Sequence, residues 1–254
     1  MQQPLVIAHR GASALAVENT MAAFALAAQQ GADMIELDVR PAADGVLVVF
    51  HDETTLRWNG AATAIAALPW ATLQHLDLRG ERMPLLAEVC DWAKTAAMPL
   101  NIEIKVPGIE AAVAAVVAAA GVAEQVIISS FYPQVLRSLS EHAPQLRRAM
   151  LMGVRTLRPR IRVREALPFL TLRHTRAHAW HPAYQLPFLP RIVRAVQRRG
   201  YEVNVWTVDE PPIIRWLIGL GVNGIISNEP SLVRELVDAG PLPVVPRPRR
   251  LRRR

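Results

Sequence analysis

The chain has 254 residues, 51% of them hydrophobic and 20% charged, a balance typical of a globular protein with a sizeable core. Its longest apolar stretch, residues 111–122, is too short to cross a bilayer, and the N-terminus lacks the basic region and cleavage site of a secretory signal. A single cysteine, Cys90, excludes an internal disulfide framework and favours a reducing compartment, so we expect a cytoplasmic protein.

The net charge of +7 is concentrated at the C-terminus, where arginine occupies six of the last eight positions. Proline recurs through residues 241–248 and prevents a helix, so residues 241–254 are predicted to be a disordered basic tail after a domain of residues 1–240. The tail is either a solvated extension or a weak attractor of RNA, DNA or anionic lipid. No aromatic residue interleaves with its arginines, which argues against a specific nucleic-acid partner.

Strand and helix signals alternate along the remaining chain. Apart from a hairpin return, eight apolar runs are predicted to be strands: residues 5–9, 34–40, 100–105, 126–131, 148–152, 177–181, 202–208 and 224–227. Helices are predicted between most of them. In the first, residues 21–30, Asn19 or Thr20 can cap the start and Gly31 ends the helix.

This alternation predicts parallel pairing, and eight such units can close into a (β/α)8 TIM barrel. A β-hairpin and a short irregular insertion, residues 52–83, would follow the second strand. The alternative is an open doubly wound sheet, which would need a glycine-rich nucleotide loop after the first strand, where Gly11 stands alone. We therefore predict a single α/β barrel domain whose chemistry lies at the carboxyl ends of the strands.

Seven ionisable residues lie where the early strands should end. They are His9, Arg10, Glu36, Asp38, His51, Glu103 and Lys105. Because strands alternate their faces, Glu36 and Asp38 point the same way. The same holds for Glu103 and Lys105. Buried strand positions normally carry apolar residues, since a charge there is costly unless it is paired or bound to a metal. The set therefore predicts a site that can hold a divalent metal and a phosphate.

A hairpin is predicted between residues 34–40 and 46–51, because Asp44-Gly45 is typical of a two-residue turn. Regular pairing about that turn would place residues whose numbers sum to 89 opposite each other, with Asp38 facing His51. A bulge at residues 41–43 would shift the register by one.

Short motifs follow one another along nearly the whole chain up to the tail. They are His9-Arg10-Gly11, Glu18-Asn19-Thr20, residues 31–39, Asp44-Gly45, His51-Asp52, residues 101–105, Ser130-Phe131, Trp206-Thr207-Val208 and residues 224–226. This ordered set resembles the glycerophosphodiester phosphodiesterase family. The resemblance implies a barrel enzyme that uses a divalent metal to hydrolyse glycerophosphodiesters to glycerol 3-phosphate and an alcohol.

The resemblance also implies roles for residues at matching positions. The acid/base pair would be His9 and His51. The metal ligands would be Glu36, Asp38 and Glu103. The substrate contacts would be Arg10, Lys105 and Trp206. Three carboxylates suit one hard cation, Mg²⁺ or Ca²⁺. Attack by the neighbouring glycerol hydroxyl, through a cyclic phosphate, and direct attack by water are both open.

The chain departs from the family pattern at Asn223 and Asn228, where the family usually has Asp. Asn keeps the hydrogen-bonding shape but loses a charge, so we expect the last strand to support the site more weakly. His181 ends a predicted strand, so a role at the rim is open.

A runner-up function is lysophospholipase D-type hydrolysis of lysophospholipids, with Trp58 and Trp70 lining an acyl channel. A third is a non-catalytic barrel that binds anionic partners through its arginine tail, which the complete set of histidines and carboxylates argues against.

Overall fold

The computed structural model describes residues 3–153 and 159–240. Nine strands occur in these residues: β1 (Leu5–His9), β2 (Met34–Pro41), β3 (Leu47–Val49), β4 (Leu100–Ile104), β5 (Val126–Ser130), β6 (Arg147–Met152), β7 (Ala179–Pro182), β8 (Glu202–Val205) and β9 (Gly224–Ser227). All except β3 pair in parallel, in the order β1-β9-β8-β7-β6-β5-β4-β2, and the pairing of β1 with β2 closes the ring. The predicted eight-stranded TIM barrel is confirmed, with β3 as an extra strand antiparallel to β2.

Eleven α-helices occur in the described residues, and most of them pack around the outside of this ring, whereas the two short ones at residues 56–59 and 70–73 belong to the insertion. The helices are α1 (Met21–Gln29), α2 (Leu56–Asn59), α3 (Trp70–Leu73), α4 (Leu86–Thr95), α5 (Glu110–Ala120), α6 (Pro133–His142), α7 (Pro159–Ala166), α8 (Pro168–His174), α9 (Leu189–Gln197), α10 (Pro211–Leu220) and α11 (Pro230–Asp238). Thr20, one of the two predicted capping residues, caps α1 by accepting a hydrogen bond from the backbone N–H of Ala23. Across residues 3–153 and 159–240, no helix has the length and apolar character that a membrane crossing requires.

The interior of the barrel changes in polarity along its axis. Its floor is apolar and consists of Met34, Ile127, Ala149 and Ala179. Polar residues lie above the floor, and ionisable side chains follow at the carboxyl ends of the strands. The outward faces of the same strands are apolar and pack under the helices, as Ile35 and Leu37 of β2 do. Strand alternation therefore separates the hydrophobic core from the polar interior.

The predicted register of the hairpin is wrong by one residue. The backbone N–H of Ala42 donates to the oxygen of Val46 at 2.8 Å, so the loop has three residues rather than two. Gly45 takes a left-handed conformation, φ +81°, at the end of this loop. Val39 therefore lies opposite Val49, and the pairs sum to 88. His51 lies one residue beyond the position facing Asp38, in agreement with the bulged alternative.

The insertion after the hairpin has a small core of its own. Phe50, Leu73, Leu78 and Met83 are buried together and pack against the hairpin strand β3 through Val48. This packing holds a largely irregular segment over one side of the barrel mouth. The predicted basic tail, residues 241–254, lies outside the described residues.

Candidate active site

A sharp turn at the end of β1 orients the first group of site residues. Arg10 and Gly11 both have left-handed backbones, with φ of +57° and +83°. A Cβ on Gly11 would lie 2.6 Å from the backbone carbon of Ala23, so the turn has no room for another residue. The N–H of Arg10 donates to the backbone oxygen of Glu36 at 2.9 Å and to its carboxylate at 3.0 Å. The turn therefore fixes β1 and its His9 against the acidic strand β2.

Three carboxylates converge at the top of the barrel. Glu36 and Asp38 lie two residues apart on β2, and Glu103 lies beside Asp38 in the β2–β4 register. Each offers an oxygen within 4.8 Å of the others, and all three residues are buried, with exposures of 3%, 1% and 7%. Such a buried oxygen cluster fits a hard divalent cation, which could be held by these three ligands.

Two cations share the most deeply buried of these carboxylates. Arg10 Nε lies 3.1 Å from Asp38 Oδ2, and Lys105 Nζ lies 3.1 Å from Asp38 Oδ1. Lys105 also lies 2.8 Å from Glu103 Oε1. Asn19, whose part in the site the sequence did not reveal, donates its amide to Asp38 at 2.9 Å. Asp38 is therefore the anchor to which both cations are attached.

Charge separates the pKa values of the three carboxyls. Burial opposes ionisation of Asp38, but Lys105 and Arg10 outweigh it and hold the pKa of Asp38 well below its usual range. Burial, together with the neighbouring carboxylates, raises the pKa of Glu36 well above its usual value. Burial also raises the pKa of Glu103, although Lys105 works against it. Two of the three carboxyls therefore lack enough positive charge nearby, which a divalent cation would supply.

The two histidines are each held through Nδ1. His9 Nδ1 lies 2.7 Å from Asn228 Oδ1, and its Nε2 faces the carboxylates, 4.0 Å from Glu36. His51 Nδ1 lies 2.9 Å from the carboxylate of Asp52. Burial, with Arg10, lowers the pKa of His9 to about 4, and burial also lowers the pKa of His51. Both imidazoles are therefore neutral at pH 7 and can accept a proton.

A chain of ion pairs supports His51 from the insertion. Arg57 Nε donates to Asp52 at 2.7 Å, and the same guanidinium pairs with Glu18. Glu18 also accepts from Arg10 at 3.1 Å. The ion pairs thus run from the His51 side of the mouth to the Arg10 side. These ion pairs could not be predicted from the sequence, because their members lie up to 47 residues apart.

A cavity of about 210 Å³ opens onto these groups. Seven of the eight predicted site residues line it: His9, Arg10, Glu36, His51, Glu103, Lys105 and Trp206. Asp38 is the exception and lies just behind the wall. The opposite wall is apolar, where Phe131 meets Trp206 edge to face with ring centroids 5.5 Å apart. The indole of Trp206 is fixed by a 2.7 Å hydrogen bond to the backbone oxygen of His181.

Asn101 joins the cavity lining beside Glu36. Its side-chain amide is buried and has no hydrogen-bond partner among the described residues. A polar group in that state is available to a bound hydroxyl or water. The residue stood in a motif of the sequence but carried no predicted role.

The sequence left open the parts of three polar residues of the second half, and the structure brings only one of them against a predicted site residue. His181 is fully buried under the site, 3.0 Å from Asn204, rather than at the rim. Asn223 accepts from the backbone of Val203 at 2.9 Å at the start of β9, far from the carboxyl ends of the strands. Only Asn228, next to His9, reaches the site.

A (β/α)8 barrel whose mouth combines a carboxylate cluster, two histidines and two cations defines an enzyme for anionic phosphate esters. The profile of the glycerophosphoryl diester phosphodiesterase family matches residues 9–232. The chain belongs to this family. The resemblance drawn from the motifs is thereby confirmed, as is the prediction of a phosphoric diester hydrolase.

Relatives and solved structures agree with this assignment. A glycerophosphodiester phosphodiesterase of Caldanaerobacter subterraneus is 35% identical over 93% of this chain and 98% of its own. The structure of an Agrobacterium tumefaciens glycerophosphodiester phosphodiesterase is similar at a TM-score of 0.77, with 30% identity over 92% of this chain and 100% of its own. The structure of an Oleispira antarctica phosphodiesterase in complex with the product sn-glycerol-3-phosphate is similar at a TM-score of 0.78. It is 27% identical over 93% of this chain and 97% of its own.

Proposed function

We propose that this chain hydrolyses glycerophosphodiesters to glycerol 3-phosphate and an alcohol, with one divalent cation, Mg²⁺ or Ca²⁺. The observation that carries the proposal is the convergence of three buried carboxylates within 4.8 Å, two of which line one cavity together with His9 and His51. The product bound to the similar Oleispira antarctica enzyme supports the choice of substrate.

The cation would be held by Glu36, Asp38 and Glu103. When bound, it supplies a Lewis acid that draws charge from a phosphate oxygen and lowers the pKa of a coordinated hydroxyl. The oxygen-only ligand set suits Mg²⁺ or Ca²⁺ and not a metal that prefers thiolate or imidazole. Lys105 and Arg10 keep the pKa of Asp38 low despite its burial, so this ligand is ionised before a cation binds.

The two histidines perform the proton transfers. A phosphodiester repels nucleophiles, and its alkoxide leaving group must be protonated as it departs. One imidazole of the His9–His51 pair takes the proton of the attacking hydroxyl or water through Nε2, and the other protonates the leaving oxygen. A bound anion between them favours the charged form of one imidazole and so compensates for the lowered pKa values.

The remaining predicted residues bind the substrate. Arg10 and Lys105 line the cavity and neutralise charge on the phosphoryl oxygens. Their ion pairs with Asp38 hold them in place before substrate arrives, so little reorganisation is needed. Trp206, with Phe131 against its ring, offers a flat apolar surface to the glycerol or alcohol carbons.

The test is a coupled assay for glycerol 3-phosphate release from glycerophosphocholine and glycerophosphoethanolamine. We expect release in the presence of Mg²⁺ or Ca²⁺ and loss of it on exhaustive chelation, with recovery when the ion is restored. Turnover that survives metal removal would refute the role of the cation. No release from either substrate under any metal condition would refute the proposed reaction.

A second candidate, lysophospholipase D-type hydrolysis, is favoured by apolar residues around the mouth. Leu15, Tyr132 and Phe188 lie on loops that follow barrel strands, with exposures of 72%, 41% and 71%. Leu56, which begins α2 of the insertion, is 55% exposed. Exposed apolar groups of this kind suit an acyl chain or a lipid surface. The same assay, run with lysophosphatidylcholine and measuring choline release, compares the two activities directly.

The non-catalytic alternative would rest on the basic tail. We propose instead that residues 1–240 are the catalytic domain and residues 241–254 a basic extension. A chain truncated after residue 240 is expected to retain the kcat of the full chain.

We place the enzyme in the cytoplasm, since its only cysteine is buried and free, as suits a reducing compartment.

A further inference from the structure

We propose that Asp209 is a positioning residue for His9, acting through the side chain of Asn228. The carboxylate fixes the orientation of the Asn228 amide, and this amide in turn holds His9 in the tautomer with its hydrogen on Nδ1. The inference rests on the proposed role of His9 in proton transfer, because that tautomer leaves Nε2 free to accept a proton.

Asp209 follows β8 and reaches across to the end of β9. Its Oδ1 accepts from the backbone N–H of Asn228 at 2.8 Å and from the hydroxyl of Ser227 at 2.9 Å. Its Oδ2 accepts from the Asn228 side-chain nitrogen at 2.7 Å. One carboxylate thus receives three hydrogen bonds from two consecutive residues and clamps both the backbone and the side chain of Asn228.

This clamp removes the usual ambiguity of an amide side chain. A carboxylate can only accept, so the NH2 of Asn228 must face Asp209. Asn228 Oδ1 must then face the other way, where His9 Nδ1 lies at 2.7 Å and the hydroxyl of Ser13 at 2.8 Å. An amide oxygen also only accepts, so His9 Nδ1 must carry the hydrogen. In the neutral imidazole, Nε2 is then the acceptor.

The free Nε2 points toward the chemistry. It lies on the cavity side of the ring, 4.0 Å from Glu36, and His9 lines the cavity. His51 reaches the same arrangement more directly, since its Nδ1 contacts the carboxylate of Asp52. The two histidines therefore use different supports, one carboxylate in direct contact and one acting through an amide.

If Asp209 only stabilised the fold, its removal would also cost activity. The test therefore needs variants that distinguish a structural role from the positioning of His9. Asp209→Asn keeps the shape but offers only one accepting oxygen, which leaves a donor facing a donor and frees the Asn228 amide to turn. Asn228→Asp places two carboxylates in contact. The double exchange, Asp209→Asn with Asn228→Asp, restores complementary pairing and again presents an accepting oxygen to His9. Glu210→Gln is the matched control, because it removes an exposed neighbouring charge outside this network.

We expect each single variant to lower kcat by about 10- to 100-fold with KM changed less than about threefold. The double exchange should recover kcat to within about tenfold of that of the natural chain. Glu210→Gln should have the kcat and KM of the natural chain. Melting curves identify any variant that fails to fold. A fully active Asp209→Asn, or a folded double exchange no better than the worse single variant, would overturn the proposal.

Nitrogen-15 NMR of histidine-labelled protein reads the tautomer without any assay. At a pH where the ring is neutral, His9 should show hydrogen on Nδ1 in the natural chain and in the double exchange. Asp209→Asn should show a mixture or the Nε2-protonated form, and His9→Gln identifies the signals. An unchanged tautomer in Asp209→Asn would contradict the proposal even if activity falls. If His9→Ala kept full turnover, the proposed catalytic role would fail, whereas the tautomer measurement would still decide this inference.

Discussion

The half of the barrel built from β1, β2 and β4 differs from the half built from β5 to β8 in what it places inside. The first half supplies ionised groups, with Asp38 paired to two cations and two further carboxyls beside it. The second half supplies Ser129, His181 and Asn204, which are polar but neutral. Burial lowers the pKa of His181 to about 3, so even this histidine carries no charge near neutrality.

This difference shows how the fold can keep charge so deeply buried. A buried ion is tolerated only when opposite charges or hydrogen bonds surround it, so charges gather where partners already exist. In the proposed mechanism one half of the ring performs the chemistry, and the other forms a neutral wall that shapes the cavity. Asp209 lies beyond β8 but is connected to the first half by hydrogen bonds, since it accepts from Asn228, which in turn contacts His9.

Removing one carboxylate from the charged half should have the largest effect. Glu36→Gln keeps the acceptor for the Arg10 backbone but removes a proposed metal ligand, so we expect turnover to fall by about 10³-fold, as loss of several kcal/mol of metal-based stabilisation would produce. Calorimetry should show weaker Mg²⁺ binding. Glu53→Gln, an exposed carboxylate of the insertion, is the control. Unchanged Mg²⁺ affinity in Glu36→Gln would contradict the ligand assignment.

Removing either imidazole should cost less. We expect His9→Ala and His51→Ala each to lose at least about 10²-fold in kcat, the usual contribution of general acid–base catalysis. His75→Ala, an exposed histidine of the insertion, should be unaffected. If either site variant turned over at the natural rate, the acid/base pair would have to be reassigned.

The turn that orients His9 can be tested through stability. Gly11→Ala combines a left-handed backbone with a Cβ only 2.6 Å from the backbone carbon of Ala23 and should cost about 3 kcal/mol in the free energy of unfolding. Gly45→Ala has a similar φ, +81°, but no atom within 4 Å of its added Cβ, and should cost about 1 kcal/mol. Urea denaturation measures both. Equal losses would show that the close approach to Ala23 is not what requires the glycine.

The neutral wall should affect binding more than chemistry. Trp206→Phe keeps the aromatic contact with Phe131 but loses the indole hydrogen bond to His181, so we expect KM to rise about fivefold with kcat within about twofold. Steady-state kinetics measure the changes in KM and kcat separately. Trp92→Phe, in helix α4 on the outside of the barrel, is the matched control. A large fall in kcat would place Trp206 among the groups that act in the transition state.

The smallest effect concerns pH and the cation. The pKa values of Glu36 and Glu103 are raised in the folded chain, so the stability they contribute is present at low pH and is lost as pH rises through those values. A cation that neutralises the carboxylates reverses this loss. Saturating Mg²⁺ should therefore raise Tm by several degrees at pH 8 and by less at pH 5.5. An equal rise at both values would contradict the coupling of these carboxyls to the metal.

Local patterns were sufficient for the barrel and for the residues that line its mouth. Strand–helix alternation has a short repeat that the sequence displays directly, and alternating faces put Glu36 and Asp38 on one side of a strand. Charges at such positions were informative because the core normally excludes them. The hairpin register could not be fixed in the same way. Asp44-Gly45 suits both two- and three-residue loops, and only the hydrogen bond from Ala42 to Val46 distinguished them.

The amino-acid sequence by itself determined the fold, the family and the set of groups available for catalysis, because each depends on residue type and spacing along the chain. Tertiary structure alone decided which groups form ion pairs and hydrogen bonds with one another. The pairing of Lys105 with Asp38, of Arg57 with Glu18 and of Asp209 with Asn228 joins residues from separate loops. Contacts of that kind depend on distances of a few ångströms in space, for which separation along the chain is no guide.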